Sequence, residues 1–210
     1  RSLWVVLAVA IRLTSSIAWS QAPKSRITKN AALSITRDWD KEGREDARRL
    51  EELSRGGEPL TDESKKIIAD GAKWYSYRLT QPAYQENPTN PERGMNYLVK
   101  QAQRFILDLT EAKGALSDNQ KAFAEEFDKQ MLLRLGEVMA TANPISRMNG
   151  ALVLSSLARA GYEPACDVIV ESINDSSEID AVRFHLFRGL KDFMAPARTT
   201  DRMSTRLNSS

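Results

Sequence analysis

Residues 143–193 read NPISRMNGALVLSSLARAGYEPACDVIVESINDSSEIDAVRFHLFRGLKDF, and the punctuation of this stretch decides the fold. Asn143-Pro144 opens a helix, because Asn caps free backbone N–H groups and Pro sits where its missing N–H costs nothing. Ile145, Met148, Ala151, Leu152, Leu154, Leu157 and Ala158 then make the helix apolar around most of its circumference. A helix with neighbours on two sides needs that pattern. Gly161 closes it, and Glu163-Pro164 starts a second helix with Cys166, Ile169, Val170 and Ile173 on one face. Asn174 to Ser177 breaks the chain again, and a third helix offers Ile179, Val182, Leu186, Leu190 and Phe193 before Pro196. Arg147 and Arg183 stand at matching places about 36 residues apart, the length of a two-helix repeat unit.

Upstream, Ser117 and Gln120 form a capping box for a helix running to about Ala140, striped by Phe123, Phe127, Met131 and Leu135. Before it, Met95 to Thr110 carries Leu98, Ala102, Phe105 and Leu109, with Val99 and Ile106 alongside. The short 111–116 link predicts an antiparallel hairpin of these two helices. Pro82, Pro88 and Pro91 mark 81–91 as a loop, since each removes a donor and restricts its predecessor. Thr61 or Asp62 caps a further helix, with Ile68, Ala72, Tyr75 and Leu79 at helical spacing. Trp74, Tyr75 and Tyr77, followed by Arg78, are the candidate partner-binding group, because aromatic and Arg side chains dominate binding hot spots. The same rings also suit the core of a helix packed on two sides, and their spacing favours that use. Lys41 to Ser54 reads as a solvated helix with a thin stripe of Ala47, Leu50 and Leu53. Pro23 to Asp40 reads as a docked linker or a short first helix.

The ends differ from the body. Leu3 to Ile11 is an apolar run of signal-peptide length, and Ala18-Trp19-Ser20 supplies small residues for cleavage before Gln21. Residues 198–210 are rich in Thr, Ser and Arg and have no apolar period, so they read as a disordered tail or a sequence artefact. The expected organisation is a signal at 1–20, a linker and charged helix at 21–60, a helical region at 61–142, repeats at 143–197, and the tail. The whole chain is formally +2, yet Arg1, Arg12, Arg198, Arg202 and Arg206 all lie in the ends, against Asp201 alone. The body is therefore slightly acidic, and a nucleic-acid-binding surface loses its support. Export to a periplasmic or extracellular location follows, with no stable membrane insertion once the signal is cleaved.

The repeats at 143–193 resemble HEAT or HEAT-like repeats of the armadillo-type superhelix. That pattern has Pro near the start of the first helix, a Val-Arg-type pair, then small residues and leucines. Here Pro144 and Arg147 are followed by Ala151, Leu154 and Leu157, and Val182-Arg183 by Leu186 and Leu190. The chain departs from the pattern at Ser146, at Asp180-Ala181 in place of Asp-Pro, and at bulky Phe184 and Phe187 in place of small residues. Residues before 140 are compatible with a divergent extension of the stack. The resemblance implies an all-α, right-handed solenoid of antiparallel helix pairs, about seven helices in all. It is similar to uncharacterised secreted HEAT-repeat proteins of bacteria. It further implies structural roles for Pro144, Arg147, Val182 and Arg183, the arginines pairing within the stack.

No catalytic, metal-binding or cofactor-binding constellation is read. His185 is the single histidine and Cys166 the single cysteine, which removes multi-His metal sites and an intrachain disulfide. Phosphate-cradling glycine motifs and nucleophile elbows are missing from the sequence. The expectation is a monomeric, non-catalytic exported scaffold that binds a protein or peptide. One alternative is the docking part of a larger exported enzyme; another is a small-molecule-binding helical domain built on Trp74, Tyr75 and Tyr77.

Overall fold

The computed structural model describes residues 32–35, 39, 43–85, 95–110 and 116–195. The expected signal and tail lie outside these residues. The regular elements are α1 (Arg44–Ser54), α2 (Asp62–Tyr77), a 3-10 turn (Arg78–Thr80), α3 (Pro82–Gln85), α4 (Met95–Thr110), α5 (Asp118–Met139), α6 (Pro144–Arg159), α7 (Pro164–Asn174) and α8 (Asp180–Met194). Every element among the described residues is helical, and seven of the helices have eleven residues or more. The chain is all-α.

Local chemistry explains the helix ends. Thr61 Oγ1 accepts from Ser64 N at 3.2 Å to start α2. Ser117 and Gln120 exchange both bonds of a capping box to start α5. Asn143 Oδ1 accepts from Ile145 N at 2.9 Å and caps α6 ahead of Pro144. Gly161, at φ 92°, lets α6 end with Tyr162 N donating to Leu157 O and Gly161 N to Ala158 O. This paired closure satisfies carbonyls that would otherwise lack donors.

One buried apolar cluster runs from Trp39 to Leu186. Near its N-terminal end, Leu33 is held by Thr80 Oγ1 and by Gln81, and Trp39 is buried, so the 32–35 segment is docked rather than helical. Around α2 the rings of Tyr75, Phe105, Phe123 and Phe127 interlock, with Phe105 and Phe127 centroids 4.9 Å apart. The centre is α6, which is touched by α4, α5, α7 and α8. Of the link expected to join α4 and α5 at 111–116, residues 111–115 lie outside the described residues. Those two helices meet through Phe105 against Phe123 and Phe127, while the broader contact of α4 is with α6.

Several expected stripe residues face outward instead. Ile145 sits in the first turn of α6, Val170 on α7 and Ile179 just before α8, and all three are exposed. Ile145 and Ile179 lie at helix starts, which project beyond their neighbours, while Val170 lies mid-helix on the uncovered side of α7, so apolar spacing alone overstates burial.

The broadest helix pairing, α6 with α8, depends on a missing side chain. A Cβ on Gly189 would lie 2.7 Å from the Ser155 Cα and 2.4 Å from its Cβ, which is backbone-level overlap. Gly189→Ala is therefore expected to force the helices apart and lower unfolding stability by about 1–3 kcal/mol in urea titration. Stability unchanged from wild type would show that α6 and α8 are not so closely packed.

Asp128 on α5 is buried, its Oδ1 has no hydrogen-bond partner among the described residues, and burial pushes its carboxyl up to about 7 from 3.8. An acid raised in this way stabilises the fold relative to its charged form at low pH. As pH climbs from 3.8 to about 7, the folded state keeps a proton that the unfolded chain has lost, so stability falls through that window. Asp128→Asn is expected to recover about 2–4 kcal/mol above that window and little below it. Denaturant midpoints measured against pH check this, and a wild-type profile flat across the window would refute it.

Candidate binding surface

The aromatic group on α2 is turned inward. Trp74 and Tyr77 are buried and Tyr75 is half-buried among the Phe rings. Tyr77 donates its hydroxyl proton to Glu137, which burial raises above the usual carboxylate range, with Lys73 opposing. Arg78 is 1% exposed, lies 4.3 Å over the Trp74 ring, and donates to Gln101 Oε1 at 2.8 Å. As arranged, Trp74, Tyr75, Tyr77 and Arg78 join α2 to α4 and α5 and present no continuous face to a partner. Helical spacing signalled this interior role, but the burial of a cation beside the rings had no signal in the sequence.

The expected repeat positions lie in the first turns of α6 and α8. Pro144 is the first residue of α6, and Val182 is fully buried on α8. Arg147 is buried, with Nε donating to Glu178 Oε1 at 3.1 Å and Nη1 to the carbonyls of Thr141 and Ala142. Glu178 Oε1 also accepts from Ile179 N at 2.9 Å. One guanidinium thus fastens the α5–α6 turn to the turn that begins α8. Arg183 also closes the turn before its own helix, donating to Asp175 O at 2.6 Å and pairing with exposed Asp180.

The outer side of α8 is the largest run of exposed apolar side chains along one described helix. Phe184 is 63% exposed, Phe187 55% and Met194 60%. Helical spacing of three and ten residues puts them on one side, with Lys191 between. On the opposite flank a groove of about 270 Å³ runs between α4, α6 and α8, lined by Gln103, Ser156, Arg159, His185, Arg188 and Asp192. Burial, then nearby Arg188, holds the His185 imidazole below its usual range, so it is neutral at pH 7. Neither Arg159 nor Arg188 makes an ion pair with a described residue. Among the described residues, no group of three or more His, Cys, Asp or Glu is placed to hold a metal ion. No helix among them is long and apolar enough to cross a membrane.

The chain matches no protein family, no curated protein and no solved structure.

The Arg147–Glu178 pair makes a sharp energetic distinction. Arg147→Met leaves Glu178 buried without its guanidinium and is expected to cost about 3–5 kcal/mol, whereas Arg183→Met removes a pair whose carboxylate is fully exposed and costs about 1 kcal/mol or less. Urea titration of the two variants side by side measures the difference, and equal losses would show that the two arginines carry similar loads.

Proposed function

We propose that this chain is an exported, non-catalytic helical scaffold that binds a protein or peptide on its surface, with its helices ordered as a HEAT-like stack. The observation that carries the reading is the outer face of α8, where two phenylalanines and a methionine stay in water. Exposed apolar side chains gathered on one element mark interaction sites more often than isolated ones do. Covering Phe184, Phe187 and Met194 would contribute about 3–5 kcal/mol before association costs, enough to anchor a modest interface. The aromatic small-molecule reading gains nothing from Trp74 and Tyr77, which are buried. Export rests on the apolar run Leu3–Ile11 and the small residues Ala18 and Ser20.

A photo-crosslinking amino acid at position 187, in full-length protein expressed with its own N-terminus, tests the surface directly. The expected result is a discrete polypeptide adduct. With the crosslinker moved to exposed position 191, on the same side of α8, and Phe184→Ser/Phe187→Ser introduced, the adduct should disappear while the melting temperature holds. Adducts that survive the double substitution would move the interface elsewhere.

A further inference from the structure

Arg147 and Arg183 differ at one atom. The Arg147 Nε has Glu178 as acceptor, whereas the Arg183 Nε is buried with no hydrogen-bond partner among the described residues. A buried donor without an acceptor is costly and calls for a partner. The surrounding residues repeat the contrast. Moving along the chain by the Arg147-to-Arg183 spacing carries Arg147, Ala151, Leu154 and Ala158 onto Arg183, Phe187, Leu190 and Met194. The first four are all buried. Of the second four, Arg183 and Leu190 are half-buried and Phe187 and Met194 are exposed. Among the described residues, the face that the fold seals on α6 is open on α8, and the acid that completes it on α6 has no counterpart.

We propose that the occupant of the α8 outer face is a helix of a separate polypeptide with an Asp or Glu just ahead of its first turn. That carboxylate pairs with the Arg183 guanidinium as Glu178, just ahead of α8, pairs with Arg147. This rests on the reading that the face binds a polypeptide. Charge favours it: this side of α8 carries Arg183 and Lys191 against Asp180. Arg183 must swing to expose its Nε edge, giving up the contact with Asp180. That carboxylate is fully exposed, and exposed pairs are worth little. The partner residues opposite Phe187 and Met194 are apolar, completing a stripe beside the acid.

Single-helix peptides displayed on phage, randomised along one face and ahead of the first turn, would be selected against the full chain. The expected winners carry Asp or Glu ahead of the helix and an apolar stripe. Arg183→Gln should weaken their binding about tenfold, Arg183→Lys should restore part of it, and Gln or Asn in place of the peptide acid should add no further loss to Arg183→Gln. Winners without an acid, or binding lost in Phe184→Ser/Phe187→Ser but unchanged in Arg183→Gln, would overturn the acidic helix and leave the apolar surface standing. No enriched peptide, or binding indifferent to both variants, would overturn both. Self-association of the chain that Arg183→Gln abolishes would assign the face to a second copy and overturn a separate partner.

Discussion

A single buried guanidinium sets the relation between two turns of this fold. Arg147 Nη1 reaches the carbonyls of Thr141 and Ala142 where α5 gives way to α6, and Nε reaches Glu178 where α8 begins. Removing two charges from water costs several kcal/mol each, and their mutual attraction offsets this only when the remaining donors and acceptors are satisfied. Here the carbonyls and the Ile179 amide supply those extra bonds. An apolar pair of similar volume could fill the space with comparable stability. It could not fix direction, because apolar contact tolerates sliding and a planar fork with named acceptors does not. The pair therefore acts mainly on register: it selects one placement of α8 against α6 from the many that apolar packing would permit.

What Arg147 fixes in register, small residues permit in distance. Gly150, Ala151, Ser155, Ser156 and Ala158 line α6, and Gly189 faces Ser155 from α8. Close helix approach requires such side chains, since interaxial distance follows the residues at the crossing. The hydroxyls that come with them are accommodated locally: Ser155 donates toward the carbonyls of Ala151 and His185, and Ser156 donates to Leu152 O. The hydroxyls of α6 are thus satisfied while the helix is surrounded on most sides, and Asn149 Nδ2 is its buried polar atom without a hydrogen-bond partner among the described residues. Its cap is shared too, since Asn143 Nδ2 donates to Gln85 Oε1 while Gln85 Nε2 donates to Ser146 Oγ and Leu79 O, tying α3 to the start of the central helix.

The helices and their ends were readable because the signals are local. Thr61, the Ser117–Gln120 box, Asn143-Pro144 and Gly161 each act within a few residues, so sequence order carries the information. Stripe positions such as Ile68, Phe127, Met131 and Leu186 were readable for the same reason, and all are buried. Partnership between helices was not. That α4 lies chiefly on α6, or that Trp39 docks into the core, depends on which faces meet after collapse, and helical period says nothing about that. Asp128 shows the limit from the polar side: on an amphipathic helix an acid beside Phe127 reads as surface, yet α5 is enclosed widely enough to bury it. The candidate surface was missed because Phe184 and Phe187 were visible only as bulky exceptions to a repeat pattern, and bulk does not reveal whether a neighbour covers it.

Residue size at matched positions carries one more physical consequence. On α6 the covered face presents Ala151 and Ala158; on α8 the corresponding places hold Phe187 and Met194. Small residues suit a neighbour whose backbone comes close, whereas large ones keep a neighbour's axis farther off and demand depressions to receive them. Whatever settles on α8 thus cannot repeat the α6–α8 crossing, even if it repeats the charge pair. It must stand farther away, with gaps between its own side chains where the Phe184 and Phe187 rings enter. An exposed face built from rings favours a partner shaped to accept them over one that needs the small residues of α6.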